Sequence, residues 1–224
     1  MLVNADFARR AIVSADQYQW IASPQPGVER VMLDRIGGEQ ARATSIVRYA
    51  RDSRFPAHPH PGGEEILVLA GTFSEGELDY PAGWYLRNPP GSAHQPSSAD
   101  GAVLFVKLRQ MAAGEAASIR VDTRDPVAWR REAGGEVCSL FVSDSERVEL
   151  RRLDADAALA IGATGRAELL VVDGELRVDG ARYLRGSWIR LPDGDRPASR
   201  AGTSGATVYV KTGGEAGQPE AASC

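Results

Sequence analysis

Cysteine and histidine are both scarce in this chain of 224 residues, which has two cysteines and three histidines. Cys138 and Cys224 lie far apart, and no CxxC or HxxxCxxC pattern occurs. A disulfide framework and a thiolate zinc site are therefore excluded. Cys138 lies in the apolar run VCSLFV, and we expect it to be a buried core thiol.

An excess of positive charge and long apolar runs are also absent. The chain has 26 basic and 30 acidic residues, so no positive field favours a nucleic acid as a direct partner. No stretch approaches the roughly 18–20 apolar residues that cross a bilayer. We therefore expect a cytoplasmic protein without a membrane partner.

Turn-forming residues are plentiful, with 24 glycines and 13 prolines. They separate short apolar runs that recur along the chain, which is typical of β-strands joined by tight turns. Examples are TSIVRYA at 44–50, EILVLAG at 65–71 and ELLVVDG at 168–174. The pattern predicts an all-β fold. The small polar residues at 214–224 predict a disordered tail.

An internal repeat appears when the sequence is aligned with itself at an offset of 103 residues. Turn glycines and prolines of the two halves then coincide. Trp20 and Trp129 mark roughly where each copy starts. The repeat predicts two tandem modules, 1–112 and 113–213, each large enough for a closed or nearly closed barrel that hides its sheet edges.

All three histidines fall in two short segments of the first module, HPHPGGEE and GWYLRNPPGSAH. Alternation along a strand places His58 and His60 on one face. The Gly-Gly turn can return Glu64 towards them, and the Pro-Pro-Gly turn can direct His94 to the same point. Three imidazoles and a carboxylate suit Zn, Fe, Mn, Ni or Cu better than Mg or Ca. We therefore predict one divalent transition metal per chain.

These spacings resemble the two cupin motifs, G-x5-HxH-x3,4-E-x6-G and G-x5-PxG-x2-H-x3-N. Asp52 replaces the leading glycine of the first motif and Ser98 the final asparagine of the second. Asp tolerates a left-handed turn, so the ligand set is unaffected. Glu65 is the alternative carboxylate, but only Glu64 leaves six residues before Gly71. The resemblance implies a double-stranded β-helix (jelly-roll) barrel in two tandem copies, a bicupin.

A narrower resemblance covers most of the first half of the chain, including ARATSIVRYARDSRFPAHPHPGGEEILVLAGTFSEGELDYPAGWYLRNPPGSAHQPSS. This region is similar to the cupin domain of ChrR-type anti-sigma factors. The resemblance implies that a metal, zinc in the best-known member, is held by His58, His60, Glu64 and His94. In that family an anti-sigma domain with an HxxxCxxC motif precedes the cupin. That motif does not occur in this sequence, so the resemblance does not by itself imply sigma-factor inhibition.

The second module lacks the ligand set. The offset of 103 places Ile161, Ala163, Ala167 and Pro197 at the four ligand positions. We expect this module to be a degenerate cupin that keeps the fold and has a structural role, with a metal-free ligand pocket as the alternative. Because cupins commonly pair, a homodimer is expected by analogy.

Residues on the strands beside the motifs are candidates for a substrate pocket, because alternate side chains of a barrel strand point inward. The candidates are Tyr49, Tyr85, Arg87 and Phe105. If the Tyr85 face points inward, Arg87 can hold a carboxylate or an enolate near the metal. The alternative is an arginine solvated at the barrel rim.

Three functions remain open. The ChrR resemblance implies a sensor that responds to a small molecule or an oxidant and acts through a protein partner, such as a sigma-factor system. Alternatively, the site can serve a metal-dependent dioxygenase or isomerase that binds a small dicarbonyl substrate. The third is a metal-stabilised structural barrel. An open, partly apolar cavity that reaches the metal favours an enzyme, whereas a filled one favours a structural role or sensing by metal loss.

Overall fold

A computed structural model describes residues 1–38, 40–162 and 165–213. Within them, the only helical elements are two 3₁₀ turns, Ala15–Gln17 and Pro126–Ala128. The strands, in chain order, are β1 (Leu2–Val3), β2 (Ala11–Val13), β3 (Ile21–Ala22), β4 (Val28–Ile36), β5 (Arg42–Tyr49), β6 (Ser53–Arg54), β7 (His58–His60), β8 (Glu64–Glu75), β9 (Leu78–Pro81), β10 (Trp84–Asn88), β11 (Ser92–His94), β12 (Pro96–Ser98), β13 (Ala102–Leu108), β14 (Ile119–Asp122), β15 (Trp129–Glu132), β16 (Gly135–Val142), β17 (Glu146–Leu153), β18 (Ala167–Val178), β19 (Ala181–Leu184), β20 (Trp188–Leu191) and β21 (Ser199–Gly213).

The predicted all-β class is confirmed by this strand content. Short apolar runs between glycine- and proline-containing turns become antiparallel strands throughout. The described part of the chain contains no helix long and apolar enough to cross a membrane. The tail predicted at 214–224 lies outside the described residues.

The chain forms two compact units. Among the described residues, the first comprises Met1–Ala5 and Gln19–Arg124, and the second comprises Asp6–Tyr18 and residues 125–213. β14 therefore belongs to the first unit, where it pairs with β10, and β2 belongs to the second, where it pairs with β20. These bounds differ from the predicted division after residue 112, because alignment at a fixed offset does not reveal which strand pairs with which.

The predicted two-copy arrangement is confirmed by the strand order. In the first unit the order β4-β5-β13-β8-β10-β14 corresponds, strand by strand, to β16-β17-β21-β18-β20-β2 in the second. β8 and β18 have equal lengths of 12 residues and begin 103 residues apart. The bicupin expectation therefore holds at the level of individual strands.

Gly71 and Gly174 explain why glycine is repeated at this offset. Both adopt a positive φ, +69° and +75° respectively. A Cβ at either position would collide with the backbone of the neighbouring strand, at Gly101 in the first unit and Gly205 in the second. Only glycine combines this conformation with such a close approach.

Alternation divides the sheet of the first unit into two buried faces. Leu67 of β8, Tyr85 of β10 and Phe105 of β13 lie on one face and are at most 2% exposed. The residues that alternate with them form an apolar cluster on the other face. That cluster includes Val28, Tyr49, Ile66, Val68, Phe73, Leu86, Leu104 and Val106.

Candidate metal centre

The three imidazoles lie on a short two-stranded ladder. β7 carries His58 and His60, β11 carries His94, and the antiparallel pairing places His94 opposite His58. The ring centroids are 4.7 Å apart for His58–His60, 4.9 Å for His58–His94 and 4.6 Å for His60–His94. The ladder therefore gathers all histidines of the chain at one point.

Glu64, the first residue of β8, brings a carboxylate to the same point. Its Oε2 lies 3.4 Å from His60 Nε2 and 3.5 Å from His94 Nε2. Glu65 points to the other face of the strand, where its Oε2 accepts a hydrogen bond from Arg87 Nη1 at 3.1 Å. The structure therefore brings Glu64, and not Glu65, to the imidazoles.

The separations between these ligand atoms fit a shared metal ion. Two ligand atoms each about 2.1 Å from one ion lie about 3.0 Å apart at a right angle and about 3.4 Å apart at a tetrahedral angle. The Nε2 atoms of His60 and His94 are 2.9 Å apart, and their distances to Glu64 are 3.4 and 3.5 Å. The ligand atoms of the three histidines all lie within 4.8 Å of one another. The donor set therefore fits a divalent transition metal.

The tautomer of His58 follows from its backbone contact. Its Nδ1 lies 2.9 Å from the carbonyl oxygen of Pro56. A carbonyl can only accept a hydrogen bond, so Nδ1 carries the proton and Nε2 keeps the lone pair that binds a metal.

The two departures from the cupin motifs preserve the local backbone. Asp52 adopts a φ of +56°, the left-handed conformation that glycine supplies at this motif position. Ser98 is fully buried, and its Oγ donates a hydrogen bond to the carbonyl oxygen of Thr72 at 2.6 Å. Neither replacement displaces a ligand.

A second layer of polar side chains, which the sequence did not predict, supports the ligands. Nδ1 of His94 donates to Glu75 Oε1 at 2.6 Å. Asn88 Nδ2 donates to Glu64 Oε2 and Glu75 Oε1, both at 3.2 Å. Arg120 Nη2 donates to Glu75 Oε2 at 2.9 Å and to Asn88 Oδ1 at 2.7 Å. A carboxylate on Nδ1 fixes the ring of a metal-binding histidine and leaves Nε2 for the metal.

Strand alternation could not have identified this layer. Glu75 follows Glu64 by eleven positions on β8, and an odd separation places two residues on opposite faces of a regular strand. β8 is irregular, because its register against β13 shifts and its second half pairs with β9 and β12 instead. The internal repeat could have pointed to this layer. At the offset of 103, the polar Glu75 and Asn88 align with the apolar Val178 and Leu191, as the ligands align with apolar residues.

Burial and neighbouring charges set the protonation of the ligands. Burial, aided by the charges of His94 and His58, lowers the pKa of His60 to about 3, and burial also lowers the pKa of His58. Burial raises the pKa of Glu64 to about 7. Burial acts to lower the pKa of His94, but its hydrogen bond to Glu75 and the charge of Glu64 outweigh burial and raise it. His58 and His60 are therefore neutral near pH 7. Glu64 is about half protonated there, and His94 keeps its proton to a higher pH than an ordinary imidazole.

An open cavity of about 420 Å³ reaches the candidate centre, with His58, His60 and Glu64 in its wall. Most of the remaining wall is apolar. It includes Val28, Val47, Ile66, Phe73, Leu104 and Val106. A cavity of this size and polarity accommodates a small molecule.

Of the four predicted pocket residues, only Tyr49 lies in the wall of this cavity. Burial and the charge of Glu64 raise the pKa of Tyr49, so its hydroxyl stays protonated. The prediction is wrong for Tyr85, Arg87 and Phe105, which lie on the opposite face of the sheet.

The direction in which the side chains of β10 alternate explains why this prediction fails. Leu86 packs in the apolar cluster on the cavity side, so its neighbours Tyr85 and Arg87 point away from it. Arg87 is completely buried and forms ion pairs with Glu65 at 3.1 Å and Glu115 at 2.8 Å. It is neither near the candidate centre nor solvated at a rim.

A sequence comparison with known families covers a region that includes all four candidate ligands. Residues 8–112 match the model of the ChrR cupin-like domain family. The chain has the cupin fold. No curated protein matches the cupin in sequence. Arg120, which supports the centre, lies beyond the matched residues.

Solved structures extend the likeness to both units of the cupin. A candidate dioxygenase from Nostoc punctiforme is 14% identical with a TM-score of 0.74, over 91% of this chain and 82% of the other. The pirin YhhW from Escherichia coli, in complex with nickel(II), is 16% identical with a TM-score of 0.68, over 92% and 99%. A cupin 2 conserved barrel protein from Leptotrichia buccalis is 14% identical with a TM-score of 0.62, over 95% and 100%. At these identities the likeness concerns the fold alone.

In the second unit of the cupin the ligand positions are apolar. Ala167 is buried in an apolar cluster against which Ile161 packs, and Pro197 occupies the position of His94. Ala163 lies outside the described residues. Within residues 1–38, 40–162 and 165–213, every cluster of three or more metal-ligating side chains lies in the first unit.

Proposed function

We propose that this cupin is a metal-dependent enzyme that acts on a small molecule with a dicarbonyl or related oxygen-donor group, in a dioxygenase or isomerase reaction. The main support for this proposal is the cavity of about 420 Å³, whose wall includes His58, His60 and Glu64. An accessible cavity gives a substrate a route to the ligands, which a purely structural centre does not need.

His58, His60, Glu64 and His94 would hold the metal. When bound, such an ion supplies a Lewis acid for a carbonyl or enolate oxygen, and a redox-active ion also supplies electrons for dioxygen chemistry. Zinc is favoured by the ChrR resemblance, and iron, manganese and nickel suit the same nitrogen-rich donors.

The residues around the ligands have separate tasks. Glu75 orients His94 and keeps its Nε2 directed at the centre. Tyr49, protonated and in the cavity wall, can donate a hydrogen bond to a substrate oxygen. The apolar wall excludes water from the substrate, which strengthens each of these polar interactions.

The test begins with metal analysis of protein purified without added metal. Protein loaded separately with Fe(II), Mn(II), Ni(II) or Zn(II) is then incubated with pentane-2,4-dione. Oxygen uptake detects dioxygenase activity, and NMR identifies the products. We expect turnover with at least one metal, loss of turnover in Glu64→Gln and retention in Glu65→Gln, the adjacent buried carboxylate on the other face.

Tyr49→Phe and Tyr85→Phe provide a second matched pair. Both remove one buried hydroxyl, but only Tyr49 lines the cavity. We expect slower turnover in Tyr49→Phe alone. A tightly held metal with neither turnover nor metal-dependent binding of a dicarbonyl would contradict the enzyme proposal.

A regulatory sensor is the second candidate, favoured by the match to the ChrR cupin-like domain over residues 8–112. In this case the cavity would bind a small molecule or oxidant without turnover, and the change would be passed to a protein partner such as a sigma-factor system. Ligand binding that alters co-purification with such a partner, in the absence of any product, would favour the sensor.

A further inference from the structure

Arg30 is one of two arginines in the largely apolar wall of the cavity. It lies on β4 between β3 and β5, where it pairs with Ile21 on one side and Val47 on the other. Val28, two positions earlier on the same face of β4, belongs to the apolar cluster of the first unit. Arg30 therefore lies on the cavity side of the sheet and lines the same cavity as the imidazoles.

The Arg30 side chain contains an unsatisfied donor. Its Nε is buried and has no hydrogen-bond partner among the residues that the structure describes. The acidic residues of β4 contact other arginines: Glu29 accepts from Arg48 at 2.6 Å, and Asp34 lies 3.4 Å from Arg42. A buried donor on a charged group lowers stability when it has no acceptor, and a ligand that supplies the acceptor removes this cost.

The charge of the cavity wall favours an anion as that acceptor. Arg109 also lines the cavity, where its Nη2 donates to Gln40 Oε1 at 2.9 Å. Among the described lining residues Glu64 is the one carboxylate, and it faces the imidazoles and would be neutralised by a metal. Two permanent cations therefore remain in the wall.

We infer that the cavity binds small carboxylates with an apolar body, and that Arg30 is the residue that selects them. The planar guanidinium matches a carboxylate in shape and charge, and the apolar wall matches the rest of the molecule. The inference deepens the proposed function, on which it rests, because it assigns a separate anionic group to the substrate of the metal centre.

The first experiment uses metal-free protein, so that a carboxylate cannot bind a metal instead. Isothermal titration calorimetry compares hexanoate with hexanamide, which differ mainly in charge. We expect hexanoate to bind at least about tenfold more tightly. Arg30→Met should remove this preference, Arg30→Lys should retain part of it, and Arg48→Met, a control on the adjacent strand, should leave it unchanged.

Folding of the variant is checked by thermal melting. Since Arg30→Met removes an unsatisfied buried donor, we expect its melting temperature to be no lower than that of the native protein. Absence of a carboxylate preference in the native protein, or its persistence in Arg30→Met, overturns the inference.

A second experiment separates this inference from the proposed function. Zinc-loaded protein is titrated with heptane-2,4-dione and with 4,6-dioxoheptanoate, in which a carboxylate replaces the terminal methyl group of the same diketone. If the diketone binds without any dependence on zinc, the proposed function fails while an Arg30-dependent hexanoate preference still stands. If diketone binding requires zinc but neither carboxylate gains affinity through Arg30, the inference alone fails.

Discussion

The two units of this cupin repeat a structural framework but not a chemical site. Trp20 stacks on Arg48 in the first unit, with the guanidinium carbon 4.1 Å from the ring centre. Trp129 stacks on Arg152 in the second, at 4.0 Å. The corresponding strands pair in the same order. The fold therefore depends on features that both units share.

Every residue of the candidate metal centre is replaced in the second unit. In the second unit an apolar residue stands at each equivalent position, including those of the second layer. At the offset of 103, His58, Glu64, Glu75, Asn88 and His94 correspond to Ile161, Ala167, Val178, Leu191 and Pro197, and Arg120, opposite Leu86, corresponds to Ile12, opposite Ile189.

This joint replacement shows what the polar layer is for. Ala167, Val178 and Leu191 belong to one buried apolar cluster, against which Ile12 and Ile161 pack. The same barrel is therefore built without a polar side chain at any of these positions. The network around Glu75 serves the centre rather than the fold, since buried polar groups are retained at a cost to stability.

The largest expected effect is the loss of the metal from the first unit. His60→Ala or His94→Ala removes one of four closely spaced ligands, and we expect no metal to be retained after dialysis, as measured by mass spectrometry of the metal content. The melting temperature of metal-loaded protein should fall as well, because a ligand that binds only the folded form stabilises it. Retention of full metal content in His94→Ala would show that the second motif is assigned wrongly.

The metal-free variants should still fold. The second unit forms the same barrel without these ligands, so we expect circular dichroism of His60→Ala to show native strand content. Unfolding of the whole chain on metal removal would mean that the two units differ in their need for a metal.

The second layer should have a smaller effect. Arg120→Gln removes the donor that holds Glu75 and Asn88 in place, and Glu75→Gln weakens the support of His94. We expect metal affinity to fall about 10- to 100-fold in each, as measured by competition with a chelator. Arg124→Gln is the control, since the exposed Arg124 follows β14 closely and pairs with Asp122, away from the candidate centre. Equal effects of Arg120→Gln and Arg124→Gln would contradict a positioning role.

Acidification should weaken the centre gradually. Metal binding needs ionised Glu64 and an unprotonated His94 Nε2. Because the pKa of Glu64 is raised to about 7 and that of His94 is also raised, both groups hold protons as the pH falls below 7. We expect affinity to drop by about tenfold per pH unit for each proton displaced. His60, with a pKa of about 3, does not contribute near neutrality.

The Glu64→Gln substitution removes one of the two groups that must lose a proton before the metal binds. The variant should bind metal more weakly at pH 8, but its affinity should fall less steeply between pH 7 and 5. Titration at several pH values, with the protons released measured by calorimetry in two buffers, provides the slope. An unchanged slope in Glu64→Gln would show that Glu64 does not ionise on metal binding.

The comparison also explains how far the sequence could predict this molecule. Local spacing was sufficient for strands, turns and ligands, because His58, His60 and Glu64 lie within one strand–turn–strand segment. It was insufficient for Tyr85 and Arg87, since alternation says which residues share a face but not which face is turned to the cavity. Arg120 was out of reach, because its contact with Glu75 depends on the pairing of β14 with β10.

For substitutions that introduce histidines into the second unit, we expect no effect on metal binding. Ile161 and Pro197 line a cavity of about 540 Å³, so Ile161→His and Pro197→His would place two imidazoles at the equivalents of His58 and His94. In the His94→Ala background, where the first centre is inactive, we expect these substitutions to bind no metal. Ala167 offers no carboxylate, and neither Val178 nor Ile12 can orient an imidazole as Glu75 and Arg120 do. Stoichiometric metal in this variant would mean that two imidazoles in the barrel suffice and that the polar second layer is dispensable.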